Sequence, residues 1–128
     1  MHMKKITLIL TLVVGFMGLM AMQAQNAAEF NFDSETHDFG KIPQGTPVSH
    51  NFKFTNTGSE PLIISDVKSS CGCTVPTYPK TPIKPGEEGT IQVTYNAADP
   101  NPFTKTVTIR SNTKTPVKVL YIKGEVVN

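Results

Sequence analysis

Val48-Ser49-His50-Asn51-Phe52-Lys53-Phe54-Thr55 is the stretch that decides the fold. Val48, His50, Phe52 and Phe54 fall on one side of an extended chain, and Ser49, Asn51, Lys53 and Thr55 fall on the other. This strict alternation matches the two-residue repeat of a half-buried β-strand and no helical repeat. Asn56-Thr57-Gly58 then closes the run with residues able to supply positive φ in a turn.

Outward from this strand the same alternation recurs. Phe30-Asn31-Phe32 places two aromatics on one face, and Thr36-His37-Asp38-Phe39-Gly40-Lys41-Ile42 runs on to a turn at Pro43-Gln44-Gly45. Leu62-Ile63-Ile64 opens the next strand, whose inward set changes parity before Val67. A bulge near Ser65-Asp66 accounts for the switch. Pro76, Pro79, Pro82 and Pro85 space a loop that cannot lie in a central strand, and Pro85-Gly86 signals a type II turn. Ile91, Val93 and Tyr95 form the next inward face. After the crossover Asp99-Pro100-Asn101-Pro102, the inward residues Phe103, Val107 and Ile109 follow, with Lys105 as the exception, and Ser111-Asn112-Thr113 turns the chain. The last strand, Val117 to Val127, is apolar on both faces: Val117, Val119 and Tyr121 against Leu120, Ile122 and Val126. Such a strand is either central and covered twice, or has one face against a partner. About seven short strands at these spacings predict an all-β, immunoglobulin-like antiparallel β-sandwich, with a barrel as the alternative.

The segment before the sandwich reads as an export signal. Met1-His2-Met3-Lys4-Lys5 is a short basic region, Ile6 to Met22 is apolar, and Ala21-Met22-Gln23-Ala24 offers small residues for cleavage after Ala24. The apolar run is somewhat short of the roughly 20 residues of a spanning helix. Residues 1–24 are therefore expected to be a signal peptide and residues 25–128 one domain of roughly 100 residues, the size of a single sandwich. No cysteine lies near the end of the apolar run, so the product is expected in the periplasm or secreted, not as a lipoprotein. Loss of Lys4 and Lys5 takes the formal charge from +2 to zero. Arg110 is the only arginine, and no basic run survives cleavage, which argues against a nucleic-acid partner. Membrane contact is expected only through the signal before its removal.

Asp38-Phe39-Gly40, Phe52 to Gly58, Pro61-Leu62-Ile63-Ile64, Ser70-Cys71-Gly72-Cys73-Thr74, Ile83-Lys84-Pro85-Gly86-Glu87, Ser111-Asn112 and Ile122-Lys123-Gly124 together form a known pattern. The chain resembles the domain of unknown function 1573 family, an immunoglobulin-like group of exported bacterial proteins, from about Phe30 to Val126. The Cys-Gly-Cys-Thr element makes the likeness specific. The resemblance implies an immunoglobulin-like fold related to the cilium- and centrosome-associated repeats of eukaryotes. It implies no activity.

Chemistry beyond packing and binding must pass through Cys71 and Cys73, the only two cysteines. A loop of three residues makes a poor staple, worth about 1.6 kcal/mol in the chain-entropy formula. Four readings of the pair follow: a disulfide bridge, a redox couple, two packed thiols, or part of a soft-metal site. On an extended strand the two residues would share a face with Val67 and stand about 6.6–6.8 Å apart, near the upper limit for a bridge. Thiolates favour copper(I) and zinc, but a closed zinc site needs four ligands, and His37 and His50 are the weak additional candidates. The pair also lacks the Cys-x-x-Cys spacing at a helix N-terminus that lowers a thiol pKa. His50 on an inward face more often meets a backbone carbonyl than a metal. No nucleophile elbow, phosphate loop or His-Glu-x-x-His is present. The expectation is a non-enzymatic module without a cofactor that binds another envelope protein, or a glycan. The alternative is a thiol-dependent copper or zinc handler or redox protein using Cys71 and Cys73.

Overall fold

In the computed structural model, residues 27–128 are described, so the expected signal peptide and its cleavage after Ala24 lie outside them. The strands are β1 (Phe30–Phe32), β2 (Thr36–Pro43), β3 (Val48–Asn56), β4 (Ile64–Ser69), β5 (Thr74–Thr77), β6 (Glu88–Tyr95), β7 (Pro102–Ser111) and β8 (Val117–Val127). They form two four-stranded sheets in the orders β1-β3-β6-β5 and β2-β8-β7-β4. Among the described residues there is no helix.

The core is the set of alternating side chains read from the sequence, now facing one another across the sandwich. Phe52, Phe54, Ile91 and Val93 come from the first sheet, and Val107, Ile109, Leu120 and Ile122 from the second; each is sealed from solvent. Phe30 and Phe32 share a face as expected and pack on Phe54, with ring centroids 5.0 and 5.4 Å away. The parity switch before Val67 is a bulge: the register of β4 on β7 shifts between Ile64 and Asp66. Glu87 N–H donates to Lys84 O at 3.0 Å while Gly86 takes φ +82°, which is the type II turn announced by Pro85-Gly86.

The β-sandwich stands as expected, and four of its details differ from the sequence reading. The sandwich is not wholly antiparallel, because β2 runs parallel to β8, with Thr36 opposite Tyr121 and Ile42 opposite Val126. Turn chemistry speaks only for consecutive strands, and this pairing joins nearly opposite ends of the domain. There are eight strands, because the start of the proline-rich segment forms β5. Pro76 is tolerated there since β5 is an edge strand bonded only to β6. Strand β4 stops at Ser69, so Cys71 and Cys73 do not continue it beside Val67.

The fourth correction concerns Asn56-Thr57-Gly58, which contains no positive φ. Asn56 is instead the last residue of β3 and is fully buried, making four hydrogen bonds. Its Nδ2 donates to Glu60 O at 2.8 Å and Ile83 O at 2.9 Å, and its Oδ1 accepts from Gly58 N–H at 3.0 Å and Glu29 N–H at 3.3 Å. One amide thus ties four backbone groups from three segments at one end of the sandwich. Gly58 is needed for close approach: a Cβ there would run into the Ala27 carbonyl oxygen and lie 2.7 Å from Ala28 Cα.

Strand β8 resolves its own ambiguity. It is central, between β2 and β7, and only one of its apolar faces is covered. Leu120, Ile122 and Val126 lie in the core, while Val117 and Tyr121 remain 47% and 42% exposed on the outer surface.

Candidate functional site

The Cys71–Cys73 pair sits where β4 hands the chain from the second sheet to β5 in the first. It is joined as a disulfide, with Cα atoms 5.3 Å apart. That separation is shorter than an extended strand allows, because Ser70 to Gly72 bend into a tight turn instead. The turn is held from outside by hydrogen bonds that do not involve sulfur. Ser70 N–H donates to Thr106 O at 3.0 Å, and Thr106 N–H donates to Ser70 Oγ at 3.2 Å. Ser69 Oγ–H donates to Cys71 O at 2.7 Å, and Asn96 N–H donates to Cys73 O at 3.0 Å.

Thr74, the residue after the pair, is a functional candidate that sequence reasoning missed. It is 2% exposed, and its hydroxyl lies 3.7 Å from Cys71 Sγ and 3.8 Å from Cys73 Sγ. A disulfide sulfur carries no proton, so the hydroxyl donates. Both cysteines are half-buried, and Cys73 packs against the core. The only sequence signal for Thr74 was its place in Cys-Gly-Cys-Thr; its burial and its direction are tertiary facts.

His37 and His50 come together as a stacked pair. His37 on β2 and His50 on β3 stack across the two sheets, with ring centroids 3.7 Å apart and planes 7° from parallel. Phe39 meets His37 edge-on and Phe52 meets His50 edge-on, each at 4.6 Å. Imidazole lone pairs lie in the ring plane, so two stacked rings offer no common point to one ion. Burial, and then repulsion from His37, hold His50 below the ordinary histidine pKa of 6.5. The histidines do not join the cysteines: among the described residues, no three His, Cys, Asp or Glu side chains form a group that could hold a metal ion.

Two surface features lie apart from these residues. An open cleft of about 450 Å³ lies at the irregularity in the β2–β8 pairing, over Phe103, lined by Asp38, Lys41, Lys123 and Glu125 among others. Its four charged side chains cancel in sign. The outer face of the second sheet carries Val117, Val119 and Tyr121 from β8, with Thr106 and Thr108 beside them on β7 in register with Tyr121 and Val119. Arg110, Asp66, Lys68 and Lys123 surround this stripe, on the face opposite the core.

Two face-packed sheets, a core drawn from both and a short disulfide-closed turn between them define an immunoglobulin-like β-sandwich. The chain belongs to the family of proteins of unknown function DUF1573, whose model matches residues 30–126. Among proteins with curated descriptions, none matches the sequence. Similar solved structures share the fold at low identity. A protein of unknown function from Porphyromonas gingivalis W83 has 18% identity and a TM-score of 0.70, over 80% of this chain and 49% of that one. The VesB protease of Vibrio cholerae has 17% identity and a TM-score of 0.64, over 76% of this chain and 32% of that one. The ASH/PapD-like domain 7 of human CEP192 has 7% identity and a TM-score of 0.67, over 80% and 87%. The chain thus spans half or less of the length of the two bacterial proteins.

Proposed function

We propose that this chain is an exported, non-enzymatic immunoglobulin-like module that docks another protein of the cell envelope through the outer face of β8. The observation that carries this reading is the unpaired apolar side of a central strand. Val117 and Tyr121 stay 47% and 42% exposed although β8 is bonded on both edges and packed on its other face. A tyrosine and valines at the centre, ringed by Asp66, Lys68, Arg110 and Lys123, match the apolar middle and charged rim of a protein interface. Tyrosine is also among the residues that most often dominate such contacts, because it buries a large rigid surface at low entropic cost. The aliphatic neighbours favour a protein over a glycan at this face. Export rests on the basic-then-apolar start of the sequence.

The test is site-specific photo-crosslinking in the native envelope, with the probe at Tyr121 and, as a control, at Gln92 on the exposed side of the other sheet. A discrete adduct at Tyr121 that is absent at Gln92, and is lost on Val119→Glu, supports the docking face. No adduct at Tyr121, or the same adducts at both positions, removes it.

A further inference from the structure

We infer that Cys71–Cys73 is a thiol–disulfide exchange site whose reduced form is stabilised by the Thr74 hydroxyl. The inference is independent of the docking face and replaces the non-enzymatic part of the reading above. It starts from a mismatch in the hydrogen bonding of Thr74. The hydroxyl of a residue that is only 2% exposed needs a good acceptor, yet its only hydrogen-bond partners among the described residues are the two disulfide sulfurs. Sulfur in a disulfide is a weak acceptor, so the buried hydroxyl is poorly compensated in the oxidised state. Valine has the same shape and would fill the position without that cost. A thiolate is a strong, charged acceptor, so the hydroxyl finds its proper partner only when the bridge opens. Hydrogen bonding to the charged form lowers a thiol pKa, and a stabilised reduced form makes a disulfide more oxidising.

The surroundings suit a bridge that opens and closes. The ring it closes spans three residues, so it contributes little to holding the fold. Hydrogen bonds from Ser70, Thr106 and Asn96, none of which involves sulfur, fix both ends of the turn. Both cysteines are half-buried, but Cys73 packs on the core, which makes Cys71 the preferred sulfur for attack.

The chemistry is a two-electron exchange with a dithiol of an exported polypeptide. One substrate thiolate attacks Cys71 Sγ; the Sγ–Sγ bond breaks and Cys73 leaves as a thiolate that accepts the Thr74 hydroxyl proton in a hydrogen bond. The second substrate thiolate then attacks the substrate sulfur of the mixed disulfide and releases Cys71. The substrate is oxidised to its disulfide, Cys71 and Cys73 are reduced, and the two substrate protons end on the two cysteines or in solvent.

The experiment equilibrates the natively exported protein with reduced and oxidised glutathione, traps free thiols by alkylation, and reads the ratio by mass. Thiol pKa is read from thiolate absorbance on the reduced form. The expected result is reversible exchange without denaturant, with circular dichroism unchanged on reduction. Thr74→Val should move the equilibrium about tenfold toward the disulfide, equal to about 30 mV for two electrons, and raise the thiol pKa. Thr74→Ser, which keeps the hydroxyl, should behave as wild type. A bridge inert to glutathione in the folded wild type overturns the inference, whatever the variants do. So does a Thr74→Val protein that folds but shows wild-type equilibrium and thiol pKa. If Thr74→Val fails to fold, Thr74→Ala takes its place, and a wild-type result there has the same force.

Discussion

Replacing Asn56 with alanine should cost this domain a large part of its stability, although the residue touches no candidate site. The side chain is fully buried and makes four hydrogen bonds to backbone groups of Glu29, Gly58, Glu60 and Ile83. At a net of about 1 kcal/mol per bond, the loss is about 4 kcal/mol. Truncation leaves those partners facing a small cavity. Ile83 O keeps a second bond from Leu62 N–H, while the others open partly to water, which limits any further penalty. A loss of that size compares with the roughly 5–15 kcal/mol that holds an ordinary domain together. Each kcal/mol shifts Tm by about 4–8 °C in a chain of this length, so a fall of some tens of degrees is expected. Urea unfolding followed by circular dichroism gives the free energy, and an unchanged m-value shows that the same surface is exposed. Asn56→Asp should do no better at neutral pH, because a carboxylate would face the carbonyls of Glu60 and Ile83. A loss below about 1 kcal/mol for Asn56→Ala would refute the claim that this amide clamps the end of the sandwich.

Stability should fall as the pH drops from about 6.5 through the lower pKa of folded His50, since the unfolded chain binds the proton more readily there. Thermal melts between pH 7.5 and 5 should show this slope, and His37→Gln, which removes the neighbouring charge, should reduce it only in part because burial is the larger cause. Converting both Cys71 and Cys73 to serine should lower the unfolding free energy by about 1.6 kcal/mol or less, as a three-residue ring restrains the unfolded chain only slightly. Chemical denaturation of the double variant measures it, and a loss of several kcal/mol would make the bridge a main support of the fold.

The sandwich was legible because its strands alternate. Phe52, Phe54, Ile91, Val93, Val107 and Ile109 could be assigned to the core from period alone, and all are buried. A bulge and a type II turn were legible for the same reason: parity switches and Pro-Gly pairs are local signals. The pairing partners of β2 and the role of Asn56 were not, since both depend on segments far apart in the chain. Alternation also left β8 ambiguous, because a strand's period states which residues share a face but not what lies against it.

What the linear order of residues determined by itself is the two-residue period, and with it every strand but β5, most of the core and the adjacency of Cys71 and Cys73. Only the folded chain decided that Thr74 points its hydroxyl at both sulfurs, that His37 meets His50, and that one side of β8 is left open. Period is a property of neighbours along the backbone. Contacts across the sandwich depend on which strand each sheet places opposite another, and that is settled by packing over the whole domain.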